Sequence, residues 1–207
     1  MATLPKPQGN YKPVPQGNHV AVCYRVIDLG TQRGEYKGTE KFLRKVLISW
    51  EIPDELMDDG RPFTIGQRFT WSMHEKATLR HVLESWRGKA FTDDDFDGPN
   101  AFDIANVIGK GCMLNVVHAT NGEKTYANIK SVAKLPKGME APPPTNPRNY
   151  VWLSKEEFAQ KNFDDLSDSL KDVIMQSPEF KALSDPERIA DESENPAPAE
   201  LEESIPF

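Results

Sequence analysis

The sequence predicts a mainly β protein: one domain of five strands with a helix between the third and the fourth, then a helical segment and a disordered acidic tail. Three observations carry this. Five runs rich in β-branched and aromatic residues lie between His19 and Leu135. One strongly amphipathic helical pattern interrupts them. Charge also divides the chain in two, because residues 184–207 hold eight Asp/Glu against Arg188, a net of −7. Residues 1–183 hold 24 basic and 24 acidic side chains, so the tail accounts for the whole formal charge of −7. The sequence pI of about 5.2 therefore describes the tail and hides a neutral body.

The elements follow in order. Residues 1–17 carry Pro5, Pro7, Pro13 and Pro15 with Gly9 and Gly17, a composition that favours an extended arm. Strand-like runs cover His19–Leu29 and Lys41–Ile52, joined by a glycine-containing loop over Gly30–Gly38. After the turn signal Asp58-Asp59-Gly60-Arg61-Pro62, a third strand spans Phe63–Met73, with Phe63, Ile65, Phe69 and Trp71 on one core-facing side. Ser72 and Glu75 form a capping-box pattern, and Leu79, Val82, Leu83 and Trp86 at i, i+3, i+4 and i+7 predict a helix closed by Gly88. A shorter helical stretch is expected over Asn100–Ile108. Two further strands, Cys112–Ala119 and Tyr126–Leu135, flank Asn121-Gly122, a hairpin signal. Residues 136–153 read as a Pro-rich linker, centred on Ala141–Pro147. Residues 154–183, opened by a second capping-box pattern at Ser154 and Glu157, read as helical. Two roles stay open for that segment: packing against the domain or a second subunit, and a weakly ordered spacer.

The order strand, strand, strand, helix, strand, strand over residues 18–135 resembles the OB-fold, a small Greek-key barrel that often binds single-stranded nucleic acid. The end of the chain, Glu202-Glu203-Ser204-Ile205-Pro206-Phe207, resembles the acidic tip of bacterial single-stranded DNA-binding proteins. We read the chain as similar to that family, in its bacterial or bacteriophage form. The resemblance covers the element order and the tip, and no residue-level motif of the family is recognised inside the barrel. It implies that the chain coats single-stranded DNA with little sequence preference. It also implies that replication, recombination or repair proteins dock on Glu202, Glu203, Ile205, Pro206 and Phe207. Such a tip suits docking, because the Phe207 ring can fill an apolar pocket while the carboxylates meet Arg or Lys at the rim.

Candidate nucleic-acid contacts are the basic residues of the strands, expected to converge on one barrel face. They are Arg25, Arg44, Lys45, Arg68 and Lys130, with Arg33 and Lys37 in the first hairpin loop and Lys124 in the last. Aromatic side chains supply stacking platforms for bases. Tyr36, Phe42, Trp50, Trp71 and Tyr126 are the candidates; Tyr36, Trp50 and Tyr126 are retained, while Phe69, Trp71 and Trp86 read as core. Asp93-x-Asp95-x-Asp97-Gly98 copies half of a calcium loop but has Ile104 at the twelfth position, so a short turn capped by Thr92 is the better reading.

The four histidines are dispersed, and no zinc, other metal or cofactor is expected. The phosphate-loop, nucleophile-elbow and zinc-protease patterns are missing, so no enzyme is expected. Cys23 and Cys112 lie in apolar strands and no secretory segment opens the sequence, which points to the cytoplasm, that of a host if the chain is viral. No membrane partner is expected, and a homo-oligomer is compatible with the sequence. Two rival readings fit the same residues: an interaction protein whose tail occupies host docking pockets without nucleic acid, and an RNA-binding OB protein.

Overall fold

The computed structural model describes residues 12–36, 38–122 and 124–184. Its backbone is mainly β, an open sheet of six strands with few helices. The strands are β1 (Gly17–Tyr36), β2 (Thr39–Leu56), β3 (Pro62–Thr70), β4 (Gly111–Asn121), β5 (Lys124–Ala133) and β6 (Asn149–Val151). Antiparallel ladders set the order β3-β2-β1-β4-β5, and β6 joins β1 in parallel. Residues of β3 and β5, the two ends of the path, approach within 8 Å between Cα atoms, yet no ladder joins them among the described residues.

The first hairpin departs from expectation. β1 and β2 stay paired from Val22 opposite Glu51 to Tyr36 opposite Thr39, so most of the expected loop Gly30–Gly38 is strand. The turn falls at Gly38, whose φ of 76° suits glycine. Gly30 has a different role: the register slips between Asp28 and Gly30, and the Asp28 carboxylate accepts the Gly30 N–H at 2.9 Å. A second slip lies between Cys23 and Arg25. Bulges bend and twist a strand. Bent in this way, β1 serves three partners: β4 along 17–22, β2 along 22–36 and β6 along 25–27.

Helix α1 (Thr78–Arg87) ends on left-handed Gly88 and buries Leu79, Leu83 and Trp86, as its pattern requires. It starts later than the Ser72 box, with Ala77 as an N-cap that has no side-chain bond. Ser72 Oγ instead accepts the His74 N–H, and His74 Nδ1 accepts the Lys76 N–H, so local turns compete with the helix. The stretch 100–108 is not α-helical but forms 3₁₀ turns at Gly98–Asn100 and Ile104–Val107. The Thr92 turn forms over Asp93–Asp95, where Asp95 accepts from both the N–H and the hydroxyl of Thr92.

Two cores share the sheet. One lies between its first face and α1, and contains Ala21, Cys23, Val46, Ile48, Trp50, Phe69, Leu83 and Leu114. The other lies on the opposite face, where Ile27, Leu29 and Leu47 pack against Val151, Leu153, Phe163, Leu166 and Ile174. These last three come from α2 (Gln160–Asp164), α3 (Asp168–Met175) and the turn between them, which with α4 (Pro178–Ser184) make up the C-terminal segment. Of its two open roles, packing against the domain is the one found. Side chains of this size each contribute roughly 1.5–3 kcal/mol when fully buried, which explains why β1 is apolar on both faces.

Polar ties hold the remaining chain to the sheet. Fully buried Glu51 accepts the N–H groups of Thr145 at 2.7 Å and Asn146 at 2.8 Å, which anchors the Pro-rich stretch. Burial pushes the Glu51 carboxyl up, but these bonds pull harder and leave it below its ordinary value. His118 and His19 bond the carbonyls of Val14 and Pro15, and Val14 enters the first core.

Candidate nucleic-acid interface

Phe42, Arg44, Val46, Ile48 and Trp50 alternate along β2 and so share one face. The inner three are fully buried, whereas Phe42 is 65% exposed. The core-facing stripe therefore runs out of the core at Arg44. There the Arg44 guanidinium binds the carboxylate of Asp28, a fully buried residue that also accepts the Leu153 N–H at 3.3 Å. The same guanidinium lies 4.9 Å from the centroid of the Trp71 ring. Its pKa is raised, chiefly by the Asp28 hydrogen bond.

Trp71 meets Trp152 edge-on at 5.8 Å, and Trp152 meets Tyr150 at 6.1 Å. Both tryptophans are half-buried against the first core, and Tyr150 is 44% exposed. On the arm formed by β1 and β2, Arg33 stands opposite Phe42, two rungs from Arg44 and on the same face, and it pairs with Glu40. The arrangement is a strip of Arg33 and Phe42, then Arg44, Trp71, Trp152 and Tyr150.

The base of this strip is fixed by the C-terminal segment. Glu179 accepts the Thr31 N–H at 2.8 Å and the Thr31 hydroxyl at 2.5 Å. Burial pushes the Glu179 carboxyl up, but the Thr31 bonds and the Arg44 charge outweigh it and lower its pKa. The Gln32 side chain donates to the carbonyls of Leu29 and Val173.

The sequence candidates divide between faces. Arg44 and Lys45 are neighbours on a strand and necessarily point to opposite sides, so the expected convergence on one face does not hold. Arg25, Lys45 and Arg68 belong to the face of Ile27 and Leu47, shown by the pairs Arg25 with Ser49, Lys45 with Thr70 and Leu47 with Arg68. Arg25 is half-buried and donates to the Tyr24 hydroxyl at 2.7 Å; Lys45 donates to the Thr70 hydroxyl at 2.7 Å; Arg68 is exposed. Lys124, Tyr126 and Lys130 lie on the exposed side of β5.

Trp50 is corrected outright: it is fully buried, 5.7 Å from Trp86, because β2 turns its even-numbered side chains into the core. Tyr36 pairs with Thr39 at the end of the arm. Lys37 and the tip residues Glu202, Glu203, Ile205, Pro206 and Phe207 lie outside the described residues.

Two members of the strip were missed, and the core reading of a third holds in part, since Trp71 packs against the first core but stays half-buried. Trp71 reads as core by alternation with Phe69, but β3 ends at Thr70 and the Trp71 N–H bonds the Arg44 carbonyl at 2.8 Å. Tyr150 and Trp152 sit in the expected linker. Their signal was the alternation Tyr150-Val151-Trp152-Leu153, whose aliphatic members enter the second core.

The chain matches no protein-family model and no curated protein sequence. Among the described residues no helix is long and apolar enough to cross a membrane, and no three His, Cys, Asp or Glu side chains are grouped to hold a metal ion.

Proposed function

We propose that this protein binds single-stranded DNA with little sequence preference, through a barrel of the OB type, as a non-enzymatic factor in replication, recombination or repair. The observation that carries the reading is the strip Arg44–Trp71–Trp152–Tyr150, continued on the arm by Phe42 and Arg33. Each stacked base contributes roughly 1–3 kcal/mol and tolerates any sequence, because every base presents a π-face. Arg33 and Arg44 are the cations beside these rings. The approach of β3 and β5 supports a barrel that closes without a ladder. Glu202, Glu203, Ile205, Pro206 and Phe207 recruit partner proteins in the cytoplasm of the cell or host, and a homo-oligomer is compatible with this role.

Fluorescence titration with an oligo-dT of about 30 nucleotides tests the reading, since that length spans one or more sites of ~4–16 nucleotides. Trp50 and Trp86 are core residues while Trp71 and Trp152 are half-buried, so the quenching should disappear when Trp71 and Trp152, not Trp50 and Trp86, are replaced by Phe. Weak binding to the matching duplex is expected. Equal or tighter binding to the matching RNA favours the RNA reading, and no binding to either leaves the tail as the only working part.

A further inference from the structure

A cavity of about 490 Å³ opens between the C-terminal half of α1, the 3₁₀ turn at Ile104–Val107 and the chain that leaves β5. One wall is the Trp86 ring, fixed by an indole N–H donated to the Gly111 carbonyl at 2.8 Å. Gly111 lets the chain after β5 pass close to that wall, since an added Cβ would lie 2.8 Å from Leu135 Cδ1 and 2.6 Å from Ala141 Cβ. Phe102, Leu135 and Met139 add to the apolar lining. Four cations also line the cavity, Arg87, Lys110, Lys134 and Lys137, and no Asp or Glu is among the lining residues. The three lysines are exposed and form no ion pair among the described residues. Arg87 bonds Asp95 at 2.9 Å through Nη2, while its Nη1 is buried and has no hydrogen-bond partner. The cavity shares no lining residue with the Arg44–Tyr150 strip.

Charge and shape together select the ligand. Asp95 offsets Arg87, but three lysines remain unmatched, which calls for an anion of more than one charge. A carboxylate supplies one; a phosphate monoester carries about −1.5 to −2 at neutral pH and three strong acceptor oxygens. The rings call for a flat apolar group, and a nucleobase is one that aromatic side chains hold by stacking. The volume falls in the ~300–1,000 Å³ range of small-molecule sites, room for one nucleotide and not for a length of strand. We infer that this cavity binds a nucleoside 5′-monophosphate group, with the base against Trp86, Phe102 and Met139 and the phosphate on Lys110, Lys134 and Lys137. The lysines hold the phosphate as point charges. A small turn of the Arg87 guanidinium gives Nη1 the acceptor it lacks. The Asn106 side chain, also in the lining, has both a donor and an acceptor for a base edge. The same group occurs on a free nucleotide and at the 5′ end of a strand. Because the cavity is separate from the strip, the inference holds whether or not the strip binds DNA.

The test is a titration of the ¹⁵N-labelled full chain with 2′-deoxyadenosine 5′-monophosphate, followed by the indole N–H resonances of the four tryptophans. We expect the Trp86 resonance to shift and those of Trp71 and Trp152 to stay. The dissociation constant should be roughly 10–100 µM, as a ligand of about twenty heavy atoms allows. Deoxyadenosine, which lacks the phosphate, should bind about tenfold more weakly or worse. The nucleotide should lose about as much on the double variant Lys134→Glu, Lys137→Glu, whose positions are exposed and leave the core untouched. Shifts confined to Trp71 and Trp152, equal affinity for deoxyadenosine, unchanged affinity in the double variant, or no shift at millimolar nucleotide would overturn the inference. Oligo-dT with a 5′-phosphate and with a 5′-hydroxyl then separates the two sources. A Trp86 shift that needs the 5′-phosphate assigns the site to strand ends, and a Trp86 shift with the free nucleotide but with neither strand assigns it to free nucleotides; either result supports the site.

Discussion

Tyr150 is more exposed than Trp71 or Trp152, so on the proposed reading its removal should cost binding more than folding. Tyr150→Ala should weaken oligo-dT binding by roughly 5- to 150-fold, the equivalent of ~1–3 kcal/mol for one lost stack. Trp50→Phe should do the reverse: unchanged affinity, with stability lower by about 1–3 kcal/mol in a denaturant titration, because it opens space in the first core. Asp28→Ala should do both. It strips the Arg44 guanidinium of its partner and leaves the N–H groups of Gly30 and Leu153 without an acceptor, a loss of roughly 2–4 kcal/mol. Asp28 was the least visible of these residues. A lone acid inside an apolar strand has no pattern of its own, and its importance comes from three donors that only folding assembles.

At the scale of elements, the C-terminal segment is part of the domain, and its contacts with β1 set the geometry of the arm. Gly30 stands at the junction. Its φ is +66°, and an added Cβ would lie 2.4 Å from Ser177 Cβ, so Gly30→Ala should lift α4 from the sheet. Hydrogen exchange would report this as lost protection in α3 and α4 with β2 and β3 retained. Acid should act on the same contact. The folded-state pKa of Glu179 is lowered, so its stabilising effect is complete above the ordinary value of 4.5 and is lost as pH falls through the lower folded value. Amides of α4 should therefore lose protection below pH 4.5. The turn at Asp93–Asp95 should persist further, because the Arg87 hydrogen bond and the Thr92 N–H hold the Asp95 carboxyl at about 2, against an ordinary 3.8. Its contribution is present above 3.8 and disappears as pH falls through about 2; the Asp95 carboxyl resonance followed by NMR would show it.

For the molecule as a whole, charge is divided between a body of 24 basic and 24 acidic side chains and a segment of net −7 over residues 184–207, and the proposed binding makes a salt dependence testable. Affinity for single strands should fall with salt at a log–log slope near −0.7 for each phosphate neutralised. Arg33 already pairs with Glu40 and Arg44 with Asp28, so a shallow slope is expected, and stacking should carry much of the affinity at high salt. A slope steeper than about −4 would shift the weight to the exposed lysines of β5.

What the sequence determined by itself was local. Alternation and β-branching located five strands, 3.6-residue spacing and Gly88 located α1, and the charge count separated tail from body, because each depends on neighbours along the chain. Alternation also picked the core face of β3, with Phe63, Ile65 and Phe69 buried as expected, but for β1 and β2, apolar on both faces, only the tertiary structure decided it. Bulges at Tyr24 and Leu29, which sequence does not reveal, reset the register of β1. Tertiary structure also placed β6, whose three residues lack a strand's length and gain their ladder from a partner more than 120 residues away in sequence. The aromatic strip follows from both, joining residues 42 to 44, 71 and 150 to 152 through contacts no local pattern encodes.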